Sequence, residues 1–367
     1  MELVYQCESS GLKVLLIKGL GSERDTAERE ILAAGVPLAL PHRGAWARDL
    51  SSGEPWFLVV RDAQDKGCAG VALEKLRSRA LPGHWILRID KFGGDLPGEV
   101  VEALLKAIRI VAKKTPRLLI LHLNVFSRNG KAAIGEMLAK LGFREIIPPQ
   151  SYQYTLVIDL RPSEAEVFEG LGKSVRKRIR ETQKTSMRMQ VVTDPIFGER
   201  LEELQSEALK RTGGPAHLDN WKRILRFSEE NPGLSQIIGS FLSEDLSPSN
   251  MAAFVWAWNN GDHAEYRAAG STRISESRVV LGYPLVWEMI RFARANGSEW
   301  FDMGGVTLEG GGNPSMKGIS DFKRHFSKEV VEIGAEWVFE PSPARAEIAE
   351  MVSNGAKRIR GLMRMRS

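Results

Sequence analysis

A lysine that follows a glycine-rich stretch is the first feature of this sequence that could do chemistry. The stretch from Gly304 to Gly318 contains six glycines, and Lys323 follows it with Phe322 and Phe326 on either side. A glycine-rich loop lets a backbone approach a ligand or lets a lid move. An ammonium group in a partly apolar site interacts more strongly than in water. Lys323 is therefore a candidate active-site residue, with an ordinary surface lysine as the alternative.

A dense basic segment is the second such feature. Between Lys173 and Arg188 there are seven basic residues and a single acid, Glu181. Five of the basic residues recur at helical spacing and share one helix face: Lys173, Arg176, Lys177, Arg180 and Lys184. Like charges on one stripe repel, so a polyanion such as a nucleic-acid backbone would compensate them. Without interleaved aromatic residues the pattern favours phosphate contact over base recognition, and a solvated helix face is the alternative.

The elements that must position these residues form two similar series. The first half predicts three strands within residues 55–92, a helix after Pro97, a strand, a second helix ending at Gly142, and a final strand at residues 151–160. The second half predicts a helix at residues 163–184, a strand, further helices and strands, and finally a helix and a strand around Tyr283–Val306. The sequence thus predicts domains at 1–160 and 161–340, followed by a basic amphipathic tail at 341–367.

Composition agrees with a two-domain globular protein. The chain has 367 residues, which is more than one compact core usually serves. Its 43% hydrophobic content is enough to bury real cores. The net charge of +5 is modest for a nucleic-acid binder, so the local excess in the basic segment matters more than the sum.

Targeting signals and cysteine usage favour the cytoplasm. No basic region precedes the first apolar run and no small-residue cleavage site follows it, so we expect no signal peptide. No segment approaches the roughly 18 apolar residues of a membrane span. Cys7 and Cys68 form no recognisable disulfide framework. The basic amphipathic pattern of the tail at 341–367 predicts a terminal helix. The alternative is that the tail makes weak contact with an anionic membrane surface or with RNA.

A series of short motifs gives the chain a family resemblance. They are Gly-Phe-Arg-Glu-Ile at 142–146, the basic segment at 168–187, Tyr-x-x-x-Gly-Ser at 266–271, a Leu-x-Trp helix at 285–287, Phe-Asp-Met-Gly-Gly at 301–305 and Phe-Lys-x-x-Phe at 322–326. In this order they resemble the Fem family of peptidoglycan-bridge aminoacyltransferases. The resemblance covers residues from about 50 to about 340. Each motif alone is weak, and their order makes the resemblance fairly specific.

The resemblance implies an α/β (α+β) fold of two tandem GNAT-like domains, with mixed sheets flanked by helices. It also implies an enzyme that transfers an amino acid from aminoacyl-tRNA to an amine-bearing acceptor. The family lysine that Lys323 matches meets the negative charge developing on the scissile ester carbonyl. Tyr266 matches a tyrosine that lines the acceptor site, where we also expect Phe322, Gly304 and Gly305. The basic helix would hold the tRNA.

One position departs from the family pattern. Family members often have an arginine, with a tyrosine four residues later, that grip the diphosphate of a nucleotide-linked cell-wall precursor. This chain has His217 and Trp221 there, which we keep as candidate acceptor contacts. The departure argues against that mode of diphosphate binding. The acceptor is left open between a cell-wall precursor peptide and a small molecule or peptide of secondary metabolism.

Missing motifs define the alternatives. Neither half contains the glycine loop that would cradle a coenzyme A pyrophosphate. Walker loops, Cys/His clusters and HExxH are also missing, so we expect no cofactor and no metal. An acyl-CoA-dependent N-acyltransferase of the same fold is the first alternative. A non-catalytic RNA- or membrane-binding module is the second.

Overall fold

The chain divides into two compact units in a computed structural model. The structure describes residues 1–212, 218–272, 281–308 and 317–364, with the backbone alone for residue 212 and from residue 354 onward. One unit contains residues 1–151 together with residues 333–367, and the other contains residues 152–332.

The strands of the described residues form two sheets. In chain order they are β1 Glu2–Gln6, β2 Lys13–Lys18, β3 Glu54–Arg61, β4 Gly67–Arg77, β5 Trp85–Gly93, β6 Leu118–Phe126, β7 Arg144–Glu145, β8 Tyr154–Asp159, β9 Arg188–Val191, β10 Ser235–Phe241, β11 Met251–Asn259, β12 His263–Ser271, β13 Trp300–Gly305, β14 Val330–Glu332 and β15 Gly334–Phe339. One sheet has the order β1-β2-β3-β4-β5-β6-β15-β7, and the other has the order β14-β8-β13-β12-β11-β10-β9.

Helices connect these strands and cover the sheets. The α-helices are α1 Ser22–Ala33, α2 Gly44–Asp49, α3 Gly98–Lys114, α4 Lys131–Lys140, α5 Glu164–Gly170, α6 Lys173–Thr182, α7 Gly198–Thr212, α8 Trp221–Glu230, α9 Gly282–Ala295, α10 Lys317–Arg324 and α11 Pro343–Arg364. Short 3₁₀ helices lie at Leu40–His42, Pro195–Phe197 and Pro248–Asn250.

Alternation along the strands explains why helices lie on both faces of the first sheet. Successive side chains of a strand point to opposite faces. In β3, Leu58 and Val60 belong to the core that contains α3. The intervening Phe57 and Val59 pack in a second cluster with Ile31 of α1. A strand with apolar residues at every position is therefore buried on both sides.

Among the residues that the structure describes, each sheet contains one parallel pair, which requires a crossover connection. In the first unit β5 pairs in parallel with β6, and α3 makes the connection. In the second unit β12 pairs in parallel with β13, and α9 makes the connection. Leu285, Met289 and Ile290 of α9 are buried in the core of the second unit. The two units thus share their central element order, strand, helix and parallel strand.

The structure differs from the predicted domain boundaries at two strands. The strand predicted to end the first domain is β8, and it pairs with β13 and β14 of the second sheet. Near the other end of the chain, β15 pairs with β6 and β7 and completes the first sheet. Both strands are mostly buried and lie inside their sheets, each between two partner strands. The sequence pattern therefore finds the strands without indicating their partners.

The single helix predicted at residues 163–184 is two helices in the structure. Ser163 and Glu166 form a capping box at the start of α5. The chain then breaks at Gly172, whose amide donates a hydrogen bond to the carbonyl oxygen of His325 at 3.2 Å. A Cβ at Gly172 would lie 2.5 Å from that oxygen. The glycine is therefore needed for this close approach, and α6 begins at the next residue.

The C-terminal tail contains the helix α11. It exposes the apolar side chains of Ile348, Met351 and Val352. Contact with a membrane surface or RNA through this tail stays a prediction. Within the described ranges, no helix combines the length and apolar character needed to span a membrane.

We predict that Gly270→Ala destabilises the second unit. An added Cβ would lie 2.6 Å from the backbone C and O atoms of Leu204 in α7, which cannot yield as a flexible side chain would. Overpacking of this kind costs about 1–3 kcal/mol, so thermal unfolding should begin at a lower temperature. Gly170→Ala is the matched control because nothing lies within 4 Å of its added Cβ. Equal melting temperatures for the two variants would contradict this account of the packing.

Candidate active site

Lys323 lies on α10 with its side chain buried, 5% exposed. Its ammonium group donates a hydrogen bond to the carbonyl oxygen of Gly305 at 2.9 Å. The same nitrogen lies 5.6 Å from the centroid of the Tyr266 ring, within the range of a cation–π interaction. The structure thus brings together Lys323, Tyr266 and Gly305, three residues that the sequence predicted for one site.

The two glycines of this site make room for its side chains. Gly304 has a φ of +72°, in the left-handed region that favours glycine. A Cβ at Gly304 would lie 3.2 Å from the Lys323 nitrogen and 3.1 Å from the carbonyl oxygen of Tyr266. A Cβ at Gly305 would lie 2.5 Å from the Cβ of Tyr152. Any larger residue would therefore push the lysine or Tyr152 away from the turn.

The negative charges of two buried carboxylates act on the ammonium group of Lys323. Asp302 is fully buried and Glu265 is 4% exposed. They are register partners in the parallel pair of β12 and β13, which places them side by side. The hydroxyl group of Tyr152 lies 2.9 Å from Asp302 Oδ2 and 3.2 Å from Glu265 Oε1. A hydroxyl carries one proton, so it donates to one carboxylate at a time.

Hydrogen bonds satisfy the other oxygens of these carboxylates, as burial of charge requires. Asp302 Oδ1 accepts a hydrogen bond from the Gly304 amide at 2.7 Å and another from the Thr155 hydroxyl. Glu265 Oε2 accepts one from the indole N–H of Trp258 at 2.7 Å. Both acids are therefore held in fixed positions.

The buried groups have shifted pKa values. Burial lowers the pKa of Lys323 to about 8, and the negative charges of Asp302 and Glu265 limit the fall. Lys323 is thus mainly charged at neutral pH and loses its proton as the pH rises past about 8. Burial, followed by the two carboxylates, raises the pKa of Tyr152 well above its ordinary value. Burial alone raises the pKa of the Tyr266 phenol.

Phe322 belongs to an aromatic cluster next to the site. Its ring centroid lies 5.0 Å from that of Tyr283 and 5.4 Å from that of Phe326. The Tyr283 hydroxyl is hydrogen bonded to Nδ1 of His325 at 2.8 Å. Packing of this kind anchors α10 and so positions Lys323. A direct contact of Phe322 with the acceptor stays a prediction.

Trp221 is placed in the core of the second unit. It is 2% exposed and packs edge-on against Phe254, with ring centroids 4.8 Å apart. Its indole N–H donates to Gln205 Oε1 at 2.9 Å. The structure therefore gives Trp221 the contacts of a core residue and does not bring it together with Lys323. His217, the other residue at which the chain departs from the family pattern, lies outside the described residues.

The basic stripe is carried by α6 and the residues just after it. Val175, Ile179 and Thr182 form the buried face of the helix. Four residues of the predicted stripe lie on this helix, and Lys184 follows its end. Arg176 is partly buried, and the other members are exposed: Lys173, Lys177, Arg180 and Lys184. Their role as a tRNA-binding face stays a prediction.

Acidic residues reduce the charge of the stripe more than the sequence indicated. Glu169, on the preceding helix, pairs with Arg180 at 3.1 Å and with Arg176 at 3.5 Å. Glu181 lies 3.8 Å from Lys177. Exposed pairs such as these contribute little energy and are screened by salt. The helix face is therefore basic overall, but three of the five basic residues predicted from the sequence have an acidic partner.

Three residues of this site were missed from the sequence, namely Asp302, Glu265 and Tyr152. Asp302 gave a usable signal, because it is a charged residue between Phe301 and Met303 in an otherwise apolar strand. Glu265 gave a weaker one, and Tyr152 gave none because its strand was assigned to the first domain. The pairing of β12 with β13 brings the two acids together.

We predict that Trp221→Ala lowers stability strongly. Truncation of a buried aromatic residue costs about 3–5 kcal/mol, and the change also removes the hydrogen bond to Gln205. Trp46→Ala, at a partly buried position in the other unit, should cost less. Thermal unfolding of the two variants checks this ranking. A Trp221 variant that melts like the wild type would show that the residue does not serve the core.

Comparison with known proteins is consistent with this site. Residues 249–354, which include Glu265, Asp302 and Lys323, match the FemAB family. The crystal structure of FemX matches with a TM-score of 0.69 and 14% identity, over 88% of this chain and 97% of that chain. The structure of L-PGS from Bacillus licheniformis matches with a TM-score of 0.50 and 13% identity, over 92% of this chain and 99% of that chain. No curated protein sequence matches the chain.

These matches bear out several predictions. The likeness to FemX extends over both units and confirms the predicted fold class of two tandem GNAT-like domains. The match over residues 249–354 confirms the predicted Fem resemblance, and with it the enzyme class of an aminoacyltransferase.

Proposed function

We propose, from the premise that this chain is a Fem-type aminoacyltransferase, that it forms an amide bond between a tRNA-borne amino acid and an acceptor amine. The observation that carries the proposal is the buried Lys323 ammonium on the Gly305 carbonyl, within the segment that matches the FemAB family. The donor is aminoacyl-tRNA, in which the amino acid is an activated ester. Attack by the amine forms the C–N bond and releases the tRNA hydroxyl.

Lys323 would stabilise the oxyanion that forms on the ester carbonyl. An ammonium group has three N–H donors, and the structure directs one of them at Gly305. The proposal assigns a second donor to the developing negative charge. Because the lysine is buried, its interaction with that charge is stronger than in water. Removal of a single oxyanion donor typically lowers the rate by about 10²–10³-fold.

Positioning of the two substrates supplies the rest of the catalysis in this proposal. Aminolysis of an ester requires no protein nucleophile, and correct alignment can contribute several kcal/mol. The stripe formed by Lys173, Arg176, Lys177, Arg180 and Lys184 would bind tRNA phosphates. Tyr266, Gly304 and Gly305 would shape the acceptor side of the site. The hydrogen bond between Gly172 and His325 ties the basic helix to the chain segment that follows Lys323.

Two kinds of acceptor agree with these observations. The family match supports an amine of a cell-wall precursor peptide. The placement of Trp221 supports the second kind, a small-molecule or peptide amine, because a core residue does not grip a diphosphate. Both kinds offer the same nucleophile, and an acceptor panel distinguishes them.

A protein of this fold could also use acyl-CoA as the acyl donor, which is the alternative hypothesis. The sequence lacks the glycine loop that would hold the coenzyme A pyrophosphate. The basic stripe, in contrast, suits a polyanionic donor such as tRNA. These two points favour tRNA.

The proposed function predicts transfer that depends on both tRNA and Lys323. The assay supplies total tRNA charged with radiolabelled amino acids, a panel of amine acceptors, and a parallel reaction with labelled acetyl-CoA. RNase pretreatment should abolish transfer. Lys323→Met should lower the rate by about 10²-fold or more, because the oxyanion loses a charged donor.

Lys328→Met is the matched control, because Lys328 is exposed and lies five residues further along the chain. It should transfer at the wild-type rate. Melting temperatures must be compared as well, since loss of Lys323 leaves buried carboxylates without their cation. Transfer from acetyl-CoA with none from tRNA would overturn the proposal.

The basic stripe predicts a salt-dependent affinity for tRNA. The triple variant Lys173→Gln, Lys177→Gln and Lys184→Gln removes three exposed positive charges. The slope of log affinity against log salt should fall by about 2–3, because each phosphate contact contributes about 0.7–0.9. Fluorescence anisotropy over a salt series measures it.

A control triple variant tests whether the position of the charge matters. Lys113→Gln, Lys114→Gln and Lys140→Gln removes three exposed charges from the other unit. The net charge changes equally, and the slope should stay near the wild-type value. Equal effects of the two triple variants would indicate general electrostatic attraction and would exclude a dedicated tRNA face.

A further inference from the structure

We infer that Asp302 and Glu265 are positioning residues for Lys323, which hold its side chain as a charged ammonium against the Gly304–Gly305 turn. The inference rests on the proposed function only in taking Lys323 as the group that acts on the ester. The contacts of the two acids carry it.

Asp302 fixes the turn that receives the lysine. Its Oδ1 atom accepts the hydrogen bond from the Gly304 amide at 2.7 Å. The Thr155 hydroxyl contacts both Asp302 Oδ1 and, at 3.0 Å, the carbonyl oxygen of Gly304. Asp302 therefore holds the Gly304 N–H directly, and the single proton of Thr155 goes to either Asp302 or the Gly304 carbonyl. The next carbonyl along the chain, that of Gly305, is the acceptor for Lys323.

Tyr152 fixes the same turn from another side. Its Cβ lies where a side chain on Gly305 would otherwise be, and its hydroxyl contacts both carboxylates. Glu265 is held in turn by the indole of Trp258. Neither acid can swing away when the charge of its neighbour changes.

The two carboxylates and the ammonium group of Lys323 stabilise one another's charged forms. Parallel pairing places two carboxylates side by side in the interior, where like charges repel and each charge has lost its hydration. Lys323 supplies the compensating positive charge. The lysine in turn would lose its proton more readily if it were surrounded by apolar groups alone.

Within the described residues, the titratable groups that face Lys323 come from three elements. Asp302 lies on β13, and Glu265 and Tyr266 lie on β12. Tyr152 precedes β8 and bridges the two acids. On α10 itself, Arg324 donates to the Thr307 carbonyl and pairs with Asp321 at 3.3 Å.

The sign of the effect follows from these charges. A carboxylate beside an ammonium favours the protonated form, whereas burial favours the neutral amine. Removal of one carboxylate charge therefore lowers the pH at which Lys323 loses its proton. The wild-type pKa of about 8 keeps the lysine charged at neutral pH. A fall of one unit would leave about half of the molecules uncharged near neutrality.

The experiment measures the protonation of Lys323 directly in the full-length protein. Acetic anhydride acylates the neutral amine, and mass spectrometry of the Lys323 peptide follows labelling across a pH series. Lys328, which is exposed, serves as the internal reference. Asp302→Asn and Glu265→Gln each remove one charge and keep the size of the side chain. We expect the labelling midpoint of Lys323 to fall by about one pH unit or more in each variant.

Two further variants separate charge from packing. Asp321→Asn removes an exposed carboxylate from the same helix and should leave the midpoint unchanged. Tyr152→Phe keeps both buried charges and removes their shared hydrogen bond, so its midpoint should not fall. If only Glu265→Gln folds, its midpoint alone decides the outcome.

The outcome is independent of the donor. A midpoint that stays or rises in the two carboxylate variants overturns the inference, whether or not the protein uses tRNA. A midpoint that falls while tRNA-dependent transfer is missing supports the charge cluster and overturns the proposed function. If the midpoint falls and transfer also depends on tRNA, the fall of the transfer rate at high pH should begin at a lower pH in the variants. This shift should equal the shift of the labelling midpoint.

Discussion

The second unit is organised around one buried ammonium group on one backbone carbonyl. Gly304, which has no side chain and a positive φ, leaves space for the Lys323 nitrogen next to the Gly305 carbonyl. Gly304 and Gly305 are the last residues of β13, and the parallel pairing of β13 with β12 sets Asp302 beside Glu265. Parallel strands need a crossover, here the apolar helix α9. The arrangement of charges at the site is therefore a consequence of the sheet topology.

The basic helix depends on the same segment. Its first turn follows Gly172, which lies against the His325 carbonyl two residues after Lys323. His325 is bonded to Tyr283, which packs against Phe322 on the helix that carries the lysine. These contacts connect the start of α6 with the segment that carries Lys323.

Local motifs could be predicted from the sequence, and long-range partners could not. Lys323, Tyr266 and Gly305 were predicted together because short motifs and a glycine-rich context mark each of them. Asp302 and Glu265 are separated by a helix in the chain and meet only through strand register, which no local pattern encodes. Trp221 is a large aromatic residue at a helix start, and only its burial distinguishes a core residue from a ligand contact. The exchange of β8 and β15 between the sheets has the same cause.

A lysine suits this position better than an arginine would. The Lys323 nitrogen lies 3.2 Å from the place of a Gly304 Cβ, so the space admits a compact group. An ammonium is a point charge with rotatable donors, which can serve a fixed carbonyl and a developing oxyanion at once, whereas a guanidinium presents a rigid planar fork. The disadvantage of lysine is that burial lowers its pKa readily. Two carboxylates on neighbouring strands, those of Asp302 and Glu265, counter that tendency. The sequence motifs predicted the lysine but did not reveal the two acids that keep it charged.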